Sequence, residues 1–189
     1  MIATISKAIK DPEFKIELKP DWSSAHSNYR QEIRKFLSAH FTKYFTRAQL
    51  ATIHDLEHIP KSEIGCFSIS HCQKLGGFSY SEFSHGFDVE EISRISDPIL
   101  RRTTKPEEYE QAPKKYYLWA AKEAAYKALA RDNSETNLNV TDLICVDWQP
   151  QFGLDVWGFQ IQSDKQVSLE KNQGFVFEEK GLLFSIFFN

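Results

Sequence analysis

Apolar residues recur at helical spacing from Ser23 or Ser24 onward, through Tyr29, Ile33, Phe36, Leu37, Phe41 and Tyr44, with Arg30, Arg34 and Lys35 between them. That period predicts an amphipathic helix of about five to six turns, capped at its start by one of the two serines. A shorter helix is expected over Arg47 to His58, ending before Pro60. Two further helices are predicted at Asp97 to Thr103, where Pro98 suits a first turn, and at Lys115 to Ala130. Alternation predicts a short strand in FKIELK and another in CFSIS, followed by a turn in QKLGGF at Gly76 and Gly77 and a hairpin into Phe83 to Val89.

Beyond residue 140 the pattern is one of strands: LICVDWQ, LDVWGFQIQ, SLEK, GFVFEE and LLFSIFF, separated by Gly, Asn, Gln and Asp. Strands from two regions are expected to join one antiparallel sheet that a helix covers, an α+β architecture. With 189 residues, 41% of them hydrophobic and 15 of them Phe, the chain can bury one sizeable core. One domain over 1–189 is expected, in halves 1–84 and 85–189. Trp148, Trp157, Phe175, Phe177, Phe184, Phe187 and Phe188 are assigned to the sheet core.

A formal net charge of −3 gives no bulk basic field, so neither nucleic acid nor an anionic membrane is the expected partner, and any anion site must be built locally. Cys66, Cys72 and Cys145 are an odd number without a CxxC pair, which points to reduced thiols and a cytoplasmic protein. Lys7, Lys10, Lys15 and Lys19 break every apolar run near the start, leaving no signal-peptide core or membrane span to be expected there.

Two acidic segments carry candidate chemistry. In HGFDVEEI, Asp88 and Glu90 are two apart, so an extended chain places both carboxylates on one face, able to bracket a hard cation that also takes substrate phosphates. By itself such a pair is as well explained by an acidic edge strand. In WAAKEAAYK, Trp119, Glu123 and Lys127 fall on one helical stripe beside Tyr116 and Tyr126, with alanines at 120, 121, 124, 125 and 128 opposite. A surface Glu–Lys pair would leave those aromatics unexplained. Packed closely through its alanines, this helix would present an acid and phosphate-neutralising lysines, Lys122 and Lys127, to a groove. The strand end FSISH adds Ser70 and His71; neighbours on a strand face oppositely and so form no nucleophile–base pair, but a phosphate-binding histidine is compatible.

FSISH, GFDVE and WAAKEAAYK, in that order, resemble the 4′-phosphopantetheinyl transferase superfamily. They look like the larger branch, typified by the surfactin synthetase transferase, while EEISRI and AAKEAAYKAL are similar to the smaller holo acyl carrier protein synthase branch. The resemblance implies the fold of that superfamily, an antiparallel sheet packed on a long helix with two pseudo-symmetric halves, the second carrying the metal and carrier-protein sites. It implies Mg²⁺ held by Asp88, Glu90 and Glu123, with Glu91 competing with Glu90. It also implies Glu123 as general base, directly or through water. Asp88, Glu123 and Lys127 would then be catalytic. Lys122, Lys127, His71 and Ser70 would meet the coenzyme A phosphates, and Arg94, extended by Arg101 and Arg102, an acidic carrier protein.

The implied activity is transfer of the phosphopantetheine arm of coenzyme A to a serine of an acyl, peptidyl or polyketide carrier protein, as in fatty acid biosynthesis, by a monomer with a shortened first half. The alternative is a module of the same fold that binds coenzyme A or a carrier protein without turnover. The complete set Asp88, Glu90, Glu123, Lys122 and Lys127 argues for the enzyme.

Overall fold

Helix and strand periods in the chain resolve into α+β structure with antiparallel sheets in the computed structural model, which describes residues 2–40, 66–153 and 155–189. The chain divides into two compact units, Met1–Ser84 and His85–Asn189. The helix expected over Arg47 to His58, and the Phe41 and Tyr44 end of the helix before it, lie outside the described residues.

The first unit begins with helix α1 (Ile2–Ile9), which the sequence pattern did not signal; Ile5 and Ile9, four apart, are buried, and the chain leaves it through Lys10 in a left-handed conformation (φ 57°). Strands β1 (Lys15–Lys19), β2 (Cys66–His71) and β3 (Gly76–Ser81) form an antiparallel sheet in the order β1-β3-β2. Helix α2 (Tyr29–His40) starts five or six residues later than either candidate serine cap, because a 3-10 turn at Pro20–Trp22 and successive turns occupy the intervening chain. Its Ile33 and Leu37 pack with Trp22, Phe67, Phe78 and Tyr80.

Gly76 and Gly77 are not the expected turn. They open β3, whose partner is β2, so β2 does not pair with the segment Phe83 to Val89. A side chain at Gly76 would press on the backbone of Trp22, its Cβ coming within 3.0 Å of the Trp22 Cβ, so glycine here serves close approach within a strand.

The second unit is a five-stranded antiparallel sheet in the order β4-β8-β7-β6-β5: β4 (His85–Glu91), β5 (Leu143–Gln151), β6 (Val156–Ser163), β7 (Gln173–Glu179) and β8 (Leu182–Phe188). The expected strand at SLEK is absent, and those residues lie in the connection from β6 to β7. Between β4 and β5 come α3 (Asp97–Thr103), a four-residue helix α4 (Glu108–Gln111) that was not anticipated, and α5 (Tyr117–Asp132).

Helix α5 lies on β4, β8, β7 and β5. Ala120, Ala121, Ala124, Ala125 and Ala128 are all fully buried and join Leu183 and Phe187 in the core. Small side chains let the helix axis come close to the sheet, and burial of its apolar face, at about 25 cal/mol per Å², is the main force holding it there. Phe175, Phe177, Phe184, Phe187 and Phe188 are buried as expected, while Trp148 and Trp157 are only partly so. All three cysteines are buried, and none is in a disulfide among the described residues. No described helix is long and apolar enough to cross a membrane.

Contact between β4 and α5 depends on Gly86. A Cβ there would run into the Ala124 carbonyl and come within 2.8 Å of the Ala128 nitrogen, both backbone atoms that cannot turn aside. Gly86→Val is expected to destabilise the protein by about 1–3 kcal/mol or more, as overpacking against an unyielding neighbour does. Chemical denaturation measures this, and an unchanged midpoint would show that the helix does not sit this close.

Candidate active site

The residues of β4 follow the strand alternation from Gly86. Because the Cβ of residue 86 would point at α5, Asp88 and Glu90 present their side chains on that same face, while Phe87, Val89 and Glu91 belong to the other. Glu91 is buried there, away from Asp88's face of the strand.

Helix α5 delivers the second half of the cluster. Trp119, Glu123 and Lys127 form its partly exposed stripe, opposite the buried alanines. The Lys127 ammonium donates to Asp88 Oδ1 at 2.7 Å and to the Phe87 carbonyl at 3.1 Å, joining helix to strand. Asp88 is 4% exposed, so this ion pair sits at a margin of the core where it is screened less than a surface pair.

The remaining acids respond to that environment. Burial and the neighbouring Asp88 carboxylate push Glu90 up from 4.5 to about 7, with Arg94 and Lys127 opposing the rise. Glu123 is raised for the same two reasons, burial first and Asp88 second, and Lys127 again opposes. Asp88, Glu90, Glu123 and Lys127 therefore form one electrostatic unit between β4 and α5. No group of three His, Cys, Asp or Glu side chains among the described residues is already drawn together as a finished metal cage.

Lys122 does not reach the groove expected of it. Its side chain is fully buried, and its ammonium donates to Glu108 Oε2 and to the Thr103 carbonyl, each at 2.7 Å. Glu108 in turn accepts from the Lys105 amide through Oε2 and the Cys145 amide through Oε1, both at 2.8 Å. This network ties α3, α4, α5 and β5 together and leaves Lys122 no access to a phosphate. Adjacent residues on a helix point about 100° apart, so Lys122 enters the core where Glu123 does not. Sequence reading missed Glu108, which no local spacing connects to Lys122.

Arg94 lies in a 3-10 turn directly after β4, and Arg101 and Arg102 in the last turn of α3; all three are exposed. Ser70 and His71 end β2 in the first unit, Ser70 buried and His71 partly so. His71 Nε2 shares a 3.0 Å hydrogen bond with the Tyr29 hydroxyl, the two rings meeting edge to face with centroids 4.4 Å apart. Helical spacing places Tyr29 on an apolar face and does not signal this contact.

The family model described as the 4′-phosphopantetheinyl transferase superfamily matches residues 84–178, half of the chain and most of the second unit. The chain belongs to the 4′-phosphopantetheinyl transferase superfamily. No curated protein matches it. The superfamily transfers the phosphopantetheine arm of coenzyme A to carrier proteins, and the matched stretch contains the whole cluster on β4 and α5.

The raised Glu90 gives this phosphopantetheinyl transferase domain a signature in pH. A carboxylate whose folded pKa exceeds its unfolded one costs nothing while both states are protonated. Its cost grows as the unfolded chain ionises from about 4.5 and levels off above about 7. Stability of the cation-free protein should therefore fall across that window, and Glu90→Gln should flatten this part of the profile. Denaturant unfolding at stepped pH measures it; identical profiles for the two proteins would show that Glu90 is not strained by burial and Asp88.

Proposed function

We propose that the chain is an active, Mg²⁺-dependent transferase that moves the 4′-phosphopantetheine arm of coenzyme A onto a serine of an acyl, peptidyl or polyketide carrier protein. The observation that carries this reading is the convergence of Asp88, Glu90, Glu123 and Lys127 between β4 and α5, within the stretch matched to the superfamily.

The donor set fits a hard divalent cation. Three carboxylates, two of them held above their ordinary range by burial and by Asp88, are short of positive charge despite Lys127. A magnesium ion is typically held by one or two protein carboxylates together with substrate phosphates, so an incomplete cage suits it. Asp88 and Glu123 would hold it with Glu90, which the strand alternation favours over Glu91. When bound, the ion supplies neutralisation of charge on the pyrophosphate.

The reaction forms a bond from the carrier serine oxygen to the β-phosphorus of coenzyme A and breaks the bond from that phosphorus to the bridging oxygen, which leaves with 3′,5′-adenosine bisphosphate. The serine proton passes to Glu123, directly or through a water. Its raised pKa brings Glu123 nearer to working pH, where a general base is most effective. Lys127, a partly exposed ammonium beside the acids, would neutralise phosphate oxygens of the substrate.

His71 and Ser70 are proposed to contact coenzyme A phosphates from the end of β2, with Tyr29 holding the imidazole ring. Exposed Arg94, Arg101 and Arg102 offer an acidic carrier protein complementary charge.

The test is mass analysis of an apo carrier protein incubated with the chain, coenzyme A and Mg²⁺, across fatty-acid, polyketide and peptide carriers. One added phosphopantetheine arm is expected. Asp88→Ala and Glu123→Ala should each lower transfer at least a hundredfold while the fold survives. Absence of transfer to every carrier, or wild-type rates in both variants, would overturn the assignment. In the same assay Arg94→Glu should raise KM for the carrier several-fold and leave KM for coenzyme A unchanged, since loss of a complementary interface charge acts on one partner. Equal changes in both would remove Arg94 from the carrier interface.

A further inference from the structure

Strand β8 reads LLFSIFF, and Ser185 is its single polar residue. The side chain is fully buried, and its hydroxyl has no hydrogen-bond partner among the described residues. Its register partners are Asp88 on β4 and Val176 on β7. Ser185 shares a strand face with Leu183 and Phe187, which pack in the α5 core, so it points to the side of the sheet that carries Asp88.

An unbonded hydroxyl in such surroundings is unfavourable, and packing alone would be served better by alanine. Directly opposed residues on one face of an antiparallel pair have their Cβ atoms about 4.5–5.5 Å apart. A serine hydroxyl there reaches the neighbouring carboxylate by rotation about one bond, or through one water. Asp88 meanwhile gives Oδ1 to Lys127, and a carboxylate has a second oxygen with which to meet a cation.

We propose that Ser185 is a positioning residue for Asp88: its hydroxyl donates to the Asp88 carboxylate when that carboxylate holds a divalent cation, and fixes its orientation toward the ion. Groups that orient a metal-binding carboxylate in this way commonly contribute tenfold to a hundredfold in metal affinity. The hydroxyl is thus unsatisfied in the cation-free protein and satisfied in the loaded one. This rests on the cation-dependent transfer proposed above.

The test compares wild type with Ser185→Ala and Ser185→Cys, the second keeping the volume while supplying only a weak donor. Cation-free melting temperatures should be unchanged or higher in Ser185→Ala, because the variant removes an unsatisfied polar group. Calorimetric titration of the full chain with Mg²⁺ in the presence of coenzyme A should show affinity about tenfold weaker in both variants. Transfer should fall at limiting Mg²⁺ and recover when Mg²⁺ is raised. A serine that serves packing alone would change the melting temperature and leave Mg²⁺ affinity alone. Wild-type affinity in both variants would overturn the role of Ser185. Failure of the wild-type chain to bind Mg²⁺ would instead remove the cation-dependent reading, and this inference with it.

Discussion

The second unit depends on how closely one helix approaches one strand. Gly86 gives up its side chain to the backbone of α5, and five buried alanines on the helix keep the separation small. Only at that spacing does an ammonium at position 127 reach a carboxylate at position 88. The apolar contact therefore comes first in the causal chain, and the polar geometry follows from it. A larger residue on either side would move Glu123 and Lys127 together away from Asp88, since a helix shifts as a rigid body.

Closeness also sets the electrostatics. Three carboxylates near one another at the edge of a core repel, and Glu90 and Glu123 retain protons to higher pH than free glutamates do. Lys127 offsets part of this. The neighbouring ion pair of Lys122 with Glu108 is of a different kind, for it is wholly enclosed and each of its charges is met by several hydrogen bonds. Breaking such a pair by removing one partner typically costs about 3–5 kcal/mol. Two lysines in one helix thus act separately, one locking α5 to α3, α4 and β5, the other facing the acids.

Much of this was legible from the chain because local periodicity controls it. The alanine stripe placed α5, and alternation in HGFDVEE put Asp88 and Glu90 on one face, though only the orientation of Gly86 toward the helix showed which face that was. What failed was decided by distant contacts. Gly76 and Gly77 read as a turn, yet they sit in β3 because the backbones of Trp22 and Glu17 crowd against them. Lys122 read as a second phosphate ligand because its partner, Glu108, lies on a helix too short to be signalled by periodicity. Ser185 carries no signal inside an apolar strand, since its relation to Asp88 exists only through sheet register.

We propose that the carboxylates of β4 and α5 form a divalent cation site. Anomalous scattering from crystals grown with Mn²⁺ and coenzyme A tests it most directly. A single strong peak is expected between Asp88, Glu90 and Glu123. A peak elsewhere in the chain, or no peak beside these three carboxylates, would overturn this site.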